Sequence, residues 1–485
     1  MSTFVSELEP QSVWQPFDRI LATPRPSKKE GAMRDLVREI AAARSLEVRE
    51  DDYGNLVVPV PASAGKEGAP TVVLQSHLDM VCEKNSDVEH DFERDPIVPR
   101  REDDWLYATG TTLGSDNGIG VAAMLAFAAD AELVHPPLEL LFTVEEEIGL
   151  NGAVELDPAL VSGRILINLD TEEEGSLYVG CAGGAGCELA LPLDRMFGAE
   201  SYATLRVAVG GLKGGHSGVD IHLQRGNSIV LLARALHAVA AGSGLELVSL
   251  AGGNLTNAIP REAEATVRVA RSEREAFELA LGAELSAARA ELAAVDPGLE
   301  WRIEPADEPR EVLSNAAATR VLALLAALPH GVARWSDDIP DLVETSSNLA
   351  RVRTDGDTLA VHVSNRSSVA SALAARQRQV AAFAALAGGA CEFQEGYPGW
   401  KPNLDSPVLA VARAVHAREL GAEPAIKAIH AGLECGVLGE RLPGCDMVSL
   451  GPQIEFPHSP DERVRISSVD RFWQLLRGVV AELAG

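Results

Sequence analysis

The sequence has no basic patch of any length: 42 Lys and Arg stand against 71 Asp and Glu, a formal net charge of −29, and its densest basic clusters, such as Arg351 and Arg353, are short and interrupted. A surface of that sign repels phosphate backbones and anionic lipid, so no nucleic-acid or membrane-surface partner is expected. Long apolar runs are missing too. No charge-free stretch reaches the roughly 18 residues that a membrane span needs. The opening MSTFVSELEP has no basic head followed by an apolar core, which implies a cytoplasmic protein. Cysteine is sparse, and Cys82, Cys181, Cys187, Cys391, Cys435 and Cys445 contain no C-x-x-C pair. Reduced, partly buried thiols are expected rather than a disulfide framework. The glycine-rich VGCAGGAG at 179–186 lacks the Lys and Ser/Thr of a phosphate loop, and GGHSG has Val219 where a serine nucleophile elbow needs glycine. Aromatics make up only 5% of the chain but hydrophobic residues 46%, an ordinary globular balance that excludes fibrous, collagenous and wholly disordered classes.

At 485 residues the chain is long enough for two or three domains, each with its own core. Short Val, Ile and Leu runs without clean alternation read as buried strands: TVVLQS at 71–76, LELLFTV at 138–144, RILINL at 164–169, AIKAIH at 425–430 and DMVSLG at 446–451. Apolar spacings of three and four predict helices over about 31–45, 117–130 and 406–420. Strands alternating with helices argue for an α/β fold with a mostly parallel sheet. These segments fall in two blocks, 1–190 and 395–485, expected to form one catalytic domain. Between them, 191–394 changes to alternating strands such as ATLRVAV at 203–209, EATVRVA at 264–270 and TLAVHVS at 358–364, mixed with Ala-rich helices. That stretch reads as an inserted α+β domain. The order strand, helix, two strands, helix, strand runs once over about 200–305 and again over about 312–394, suggesting two ferredoxin-like halves.

Chemistry-bearing side chains gather just after the predicted strands, where open parallel sheets bind ligands. QSHLD supplies His77 and Asp79, which alternation points the same way. GTTLGSDNGIG puts Asp116 at a helix start, EEE at 145–147 follows LLFTV, NLD ends with Asp170, and GPQIEFPHSPDE supplies His458. Taken singly, SHLD reads as a capped loop, EEE as a solvated run and Asp116 as a helix cap. Together, several carboxylates at buried strand ends repel one another unless cations neutralise them. Two imidazoles among hard oxygen ligands suit Zn²⁺, Mn²⁺ or Co²⁺. Two ions fit better than one, with His77, Glu147, Asp170 and His458 as terminal ligands, Asp116 as a bridge, and Asp79 bracing His77 through its other ring nitrogen.

These segments resemble the M20 family of metallopeptidases, and within it the aminoacyl-histidine dipeptidase (Xaa-His dipeptidase, peptidase D) branch. The likeness is carried by SHLDMV, ATGTTLGSDNGIG, TVEEEIGLNGA, NLDTEEEG, VGCAGG, GLKGGHSG, NAIPREA, VETSSN, IHAGLECG and GPQIEFPHSPDE, in that order over nearly the whole chain. The resemblance implies metal ligands His77, Asp116, Glu147, Asp170 and His458, with Asp116 bridging and a cis peptide between Asp116 and Asn117. It implies Glu146 as general base with Asp79 in support, and His216 as a donor to the tetrahedral oxyanion, often from a partner subunit. Asn257 and Arg366 resemble residues that hold the substrate's backbone and terminal carboxylate; the bland alternative for Arg366 is a charged surface strand end. His430 and Glu434 either line the substrate pocket or belong to a capping turn. The function so implied is hydrolysis of Xaa-His dipeptides with two divalent ions, zinc foremost, in a homodimer whose inserted domain serves as lid and dimerisation element. The rivals are a deacylase or tripeptidase of the same family, and a metal-free peptide-binding homologue.

Overall fold

The computed structural model describes residues 3–485, which divide into two compact units. The first comprises the chain up to Gly180 with Trp400–Ala428 and Leu433–Gly485. Its eight-stranded sheet runs in the order Arg49–Glu50, Leu56–Val60, Leu138–Thr143, Val72–His77, Ile165–Asn168, Asp446–Ser449, Ser176–Cys181, Ala425–Ile429. Val72–His77 pairs in parallel with Leu138–Thr143 on one side and Ile165–Asn168 on the other, and Asp446–Ser449 continues the parallel set. Every residue of Val72–His77 and of Leu138–Thr143 is buried, which explains why these strands lack clean apolar–polar alternation. The helix Ser115–Ala129 packs on Val72–His77 and is buried over nearly its whole length. The helices expected over 31–45 and 406–420 are Gly31–Ala43 and Pro407–Leu420.

The second unit comprises Cys181–Gly399 and Ile429–Gly432. Its antiparallel sheet runs Glu300–Pro305, Tyr202–Gly210, Ala263–Ala270, Glu246–Gly252, Val343–Asp355, Thr358–Ser367, Gly183–Pro192, Ala390–Phe393, with Gly331–Trp335 added against Val343–Asp355. Leu205, Val207, Leu247, Val267, Val361 and Val363 from these strands pack with Leu232, Leu236, Leu281, Leu285, Val321 and Leu325 from the helices in one apolar core. Tyr202–Gly210, Ser228–Ser243, Glu246–Gly252, Ala263–Ala270, Arg274–Glu291 and Glu300–Pro305 form the expected strand-helix-strand-strand-helix-strand half.

The other half departs from expectation. Its first strand is not near residue 312: Glu311–Leu313 pairs with Arg195–Phe197 in a small separate sheet. The strand that completes it is Gly183–Pro192, joined to Thr358–Ser367 and Ala390–Phe393. The first half is thus nested within the second. Local pattern does not reveal this, because the deciding hydrogen bonds link segments far apart in sequence. Among the described residues no helix is long and apolar enough to cross a membrane.

Candidate metal centre and active site

In the first unit the carboxyl ends of three parallel strands and two loops converge. His77 ends Val72–His77 and is 1% exposed; its Nε2 lies 3.0 Å from Asp116 Oδ1 and 3.4 Å from Asp170 Oδ1. His458 Nε2 lies 3.2 Å from the other oxygen of Asp116 and 3.1 Å from Glu147 Oε2. Asp116 therefore presents one oxygen to each imidazole. Three sets of ligand atoms each gather within 4.8 Å: His77, Asp116, Asp170; His77, Glu146, Glu147; and Asp116, Glu147, His458. All five sequence-expected ligands are in this cluster.

Around it the backbone is tied down by charge. Both oxygens of buried Asp79 accept peptide N–H groups, from Glu146 at 3.0 Å and Glu147 at 3.2 Å, and Ser27 Oγ donates to it at 2.7 Å. Its distance of 3.3 Å to His77 Nδ1 is not a hydrogen bond, since that nitrogen has no aligned partner among the described residues. Asp79 thus fixes the two glutamates at least as firmly as it braces the imidazole. Glu145, expected to be solvated, instead accepts from Tyr53 Oη at 3.0 Å and Asn151 Nδ2 at 3.1 Å. The peptide between Asp116 and Asn117 is cis.

Two fastenings were not singled out in the sequence. The Glu462 carboxylate accepts the N–H groups of Leu113, Gly114 and Ser115 at 2.7, 2.9 and 2.8 Å, holding the loop that delivers Asp116. The buried Arg25 guanidinium donates to the carbonyls of Leu78 and Asp79 at 3.0 and 2.6 Å and to that of Gly114, cross-linking the two ligand-bearing loops. Burial lowers the Arg25 pKa, opposed by the charges of Glu462 and Asp79. Nothing in the periodicity marks a lone Arg or Glu as buried.

The electrostatics fit a cation centre. Burial, helped by Asp170, Glu147 and Glu434, holds the Glu146 carboxyl well above the usual carboxylate range. Burial pushes Asp170 up to about 6. Hydrogen bonds donated by its ring to Asp116 and Glu147 raise His458 to about 11, and although burial opposes it, Asp170, Asp116 and Asp79 raise His77. The protein on its own thus gathers protons onto imidazoles to offset clustered carboxylates, a balance that divalent ions can supply instead. Among the described residues, Glu147 Oε1 and His77 Nδ1 are buried without hydrogen-bond partners. A nitrogen and oxygen donor set of this kind suits Zn²⁺, Mn²⁺ or Co²⁺.

The second unit brings together His216, Arg366 and His430. His216, on a two-residue strand paired with Ala258–Ile259, accepts the N–H groups of Gly218 and Val219 on Nδ1 at 3.3 and 3.0 Å. In the neutral ring that places the proton on Nε2, 3.5 Å from Arg366 Nη2. Arg366 is not a surface charge: it is 7% exposed, donates to Tyr397 Oη at 2.7 Å, and leaves a buried Nε without a partner. Two donors facing each other make a ready anion site. Burial and the Arg366 charge push His216 down to about 4 and His430 down to about 3. His430 Nε2 is paired with Ser346 Oγ at 2.7 Å, and its buried Nδ1 has no hydrogen-bond partner among the described residues. Asn257 is exposed, with its carbonyl accepting the Ser217 N–H at 2.8 Å.

Comparison with known proteins places the chain in a family. The model of peptidase family M20/M25/M40 matches residues 73–482. The cytosol non-specific dipeptidase of Escherichia coli K12 is 40% identical over 479 residues, 99% of each chain. The crystal structure of an aminoacylhistidine dipeptidase from Vibrio alginolyticus is 40% identical, covers 99% of this chain and 98% of its own, and superposes with a TM-score of 0.92. An aminopeptidase from Bacillus cereus, at 17% identity and a TM-score of 0.57 over 99% of this chain and 100% of its own, shares the fold. With a family model and 40% identical relatives matching along almost the full sequence, the chain belongs to peptidase family M20/M25/M40 and is a metallopeptidase, a hydrolase of peptide bonds.

Proposed function

We propose that this protein is a dinuclear dipeptidase, and that dipeptides with histidine in the second position are among its preferred substrates. The observation that carries the dinuclear reading is Asp116, whose two oxygens face different imidazoles, each within a separate set of ligand atoms. The E. coli relative is named a non-specific dipeptidase and the Vibrio structure an aminoacylhistidine dipeptidase; what the two names share, cleavage of dipeptides, supports the broader part of the reading.

His77, Asp116, Asp170, Glu147 and His458 would hold the ions, zinc foremost, with Mn²⁺ and Co²⁺ admitted by the same donors. When bound, such ions acidify a water and polarise the scissile carbonyl. Glu146 takes the proton from the attacking water and passes it to the leaving amine, first base and then acid. Its raised affinity for protons suits that shuttle, and Asp79 keeps it aimed by gripping its peptide N–H. The His216 Nε2–H offers a donor for the developing oxyanion, and the Arg366 fork suits the substrate's terminal carboxylate, with Asn257 and His430 completing the pocket. The inserted unit acts as lid and dimerisation element of a cytoplasmic homodimer in this proposal, supported by the cytosolic relative's name and the family resemblance.

Purified protein loaded with Zn²⁺, Mn²⁺ or Co²⁺ is to be offered carnosine, other dipeptides, tripeptides and acetylated amino acids. Cleavage of dipeptides above the rest is the expected profile. Activity confined to acetylated amino acids or tripeptides would make it a different peptidase of the family, and less than one tightly held ion with no rescue by added metal would make it a binder.

A further inference from the structure

We propose that Glu434 is the counter-ion for the free α-ammonium group of the substrate, the residue that makes this a site for unblocked dipeptides. The proposal rests on the dipeptidase reading above.

Glu434 opens the helix Glu434–Arg441 and is 0% exposed. One carboxylate oxygen, Oε2, accepts from Gln75 Nε2 at 2.6 Å and Thr143 Oγ1 at 2.9 Å. The other, Oε1, is buried and has no hydrogen-bond partner among the described residues. The donors are themselves braced: Gln75 Oε1 accepts from Asn168 Nδ2 at 2.6 Å, and Asn168 Oδ1 accepts from Ser449 Oγ at 2.5 Å. A row of polar side chains from four adjacent strands thus aims one oxygen and leaves its twin bare.

Its place is equally telling. Gln75 is two residues before His77 on the same strand face, and Thr143 is three residues before Glu146. Glu434 lies within electrostatic reach of His77, Asp170 and Glu146, yet it belongs to none of the three ligand groups. The neighbouring carboxylates are already spent: Asp79 on Ser27 and two peptide N–H groups, Glu145 on Tyr53 and Asn151, Glu462 on the Asp116 loop. Among the described residues, Glu147 and Glu434 are the acids with a buried, donor-free oxygen, and Glu147 is in the ligand set.

A buried carboxylate beside others of its sign is costly without a cationic partner. Burial pushes Glu434 up to about 7; the His77 charge opposes this and the Asp170 charge adds to it, so the counter-charge within reach does not offset the burial. The substrate brings another. In a dipeptide the amine sits on the carbon next to the scissile carbonyl, so whatever binds it must stand beside the proton-carrying Glu146 and outside the ligand cluster. An acylated amino acid has no charge at that point and would leave Oε1 bare.

The test uses metal-loaded full-length protein and two probes: a phosphinic dipeptide analogue that cannot be hydrolysed, and the same molecule without its amine. Calorimetric titration should show wild type binding the amine form about 100-fold more tightly, and Glu434→Gln should cut that preference to about 5-fold or less by weakening the amine form alone. Glu434→Asp, which keeps the charge but withdraws it, should reduce the preference by about 10-fold and serves if the glutamine variant does not fold. Metal content should be unchanged in both. A wild type indifferent to the amine overturns the proposal, as does a variant that weakens both probes equally or keeps the full preference. Should wild type cleave no dipeptide at all, the dipeptidase reading falls; cleavage of dipeptides with no preference between the two probes removes only the role of Glu434.

Discussion

The cluster around Asp116 and the cluster around Arg366 solve opposite electrostatic problems. In the first unit, Asp116, Glu146, Glu147, Asp170 and Glu434 are crowded with two imidazoles that take up protons to offset them. In the second, burial and, after it, the charge of a buried guanidinium push two nearby imidazoles toward the neutral form. One site is short of positive charge and the other of negative charge. Divalent ions would answer the first shortage and an anionic group the second.

The largest effect that sharpens this contrast should come from Glu146→Gln: kcat is expected to fall by about 10³-fold or more while metal analysis finds the ions still bound. Normal turnover in that variant would remove Glu146 from the proton path. Asp116→Ala should instead lose both metal and activity, seen by metal analysis after dialysis. Outer fastenings should cost less: Glu462→Gln is expected to weaken metal affinity by about 10- to 100-fold through a loosened Asp116 loop. In the cationic cluster, Arg366→Lys should raise KM by about 10-fold or more with metal content unchanged, because an ammonium cannot reproduce the fork. An unaltered KM would break the comparison.

The smallest effect concerns pH and stability, and the two clusters should pull in opposite directions. Metal-free, the raised Asp170, Glu434 and His458 hold protons in the folded state that the unfolded chain releases, so their contribution is present at low pH and fades as pH rises through about 6, 7 and 11. His216 and His430, held near 4 and 3, do the reverse: their contribution is complete above about 6.5 and is lost as pH falls toward those values. Thermal melts of metal-free protein should therefore weaken on both sides of an intermediate pH, and added Zn²⁺ should restore stability mainly on the alkaline side. A flat profile, or rescue on the acid side, would contradict the assignment of charge to the two clusters.

Much of this arrangement is legible in the sequence because strand ends are legible. Val72–His77 and Leu138–Thr143 are fully buried and open on Val- and Leu-rich runs, so the polar residues at and just beyond their ends stand out: His77, Asp79, Glu146 and Glu147. Arg25, Glu462 and the bare oxygen of Glu434 give no such signal. Their roles come from burial and from hydrogen bonds to segments up to 359 residues away, which no local period encodes. The same reason explains the misplaced strand near 312: pairing with Thr358–Ser367, set by distant hydrogen bonds, gives the place to Gly183–Pro192 and not to Glu311–Leu313.

That nesting carries a consequence for biosynthesis. Gly183–Pro192 emerges from the ribosome roughly 170 residues ahead of Thr358–Ser367, which at 5–20 residues per second leaves it solitary for on the order of 10–30 s. A nascent strand so long without its mate invites sticking to strangers. Its opening Gly183, Gly184 and Gly186 make it a poor seed for that. Packing demands the small residue as well, since a Cβ on Gly184 would sit 2.8 Å from the Tyr397 ring. One run of glycines thereby guards the polypeptide during manufacture and admits an aromatic ring once manufacture is complete.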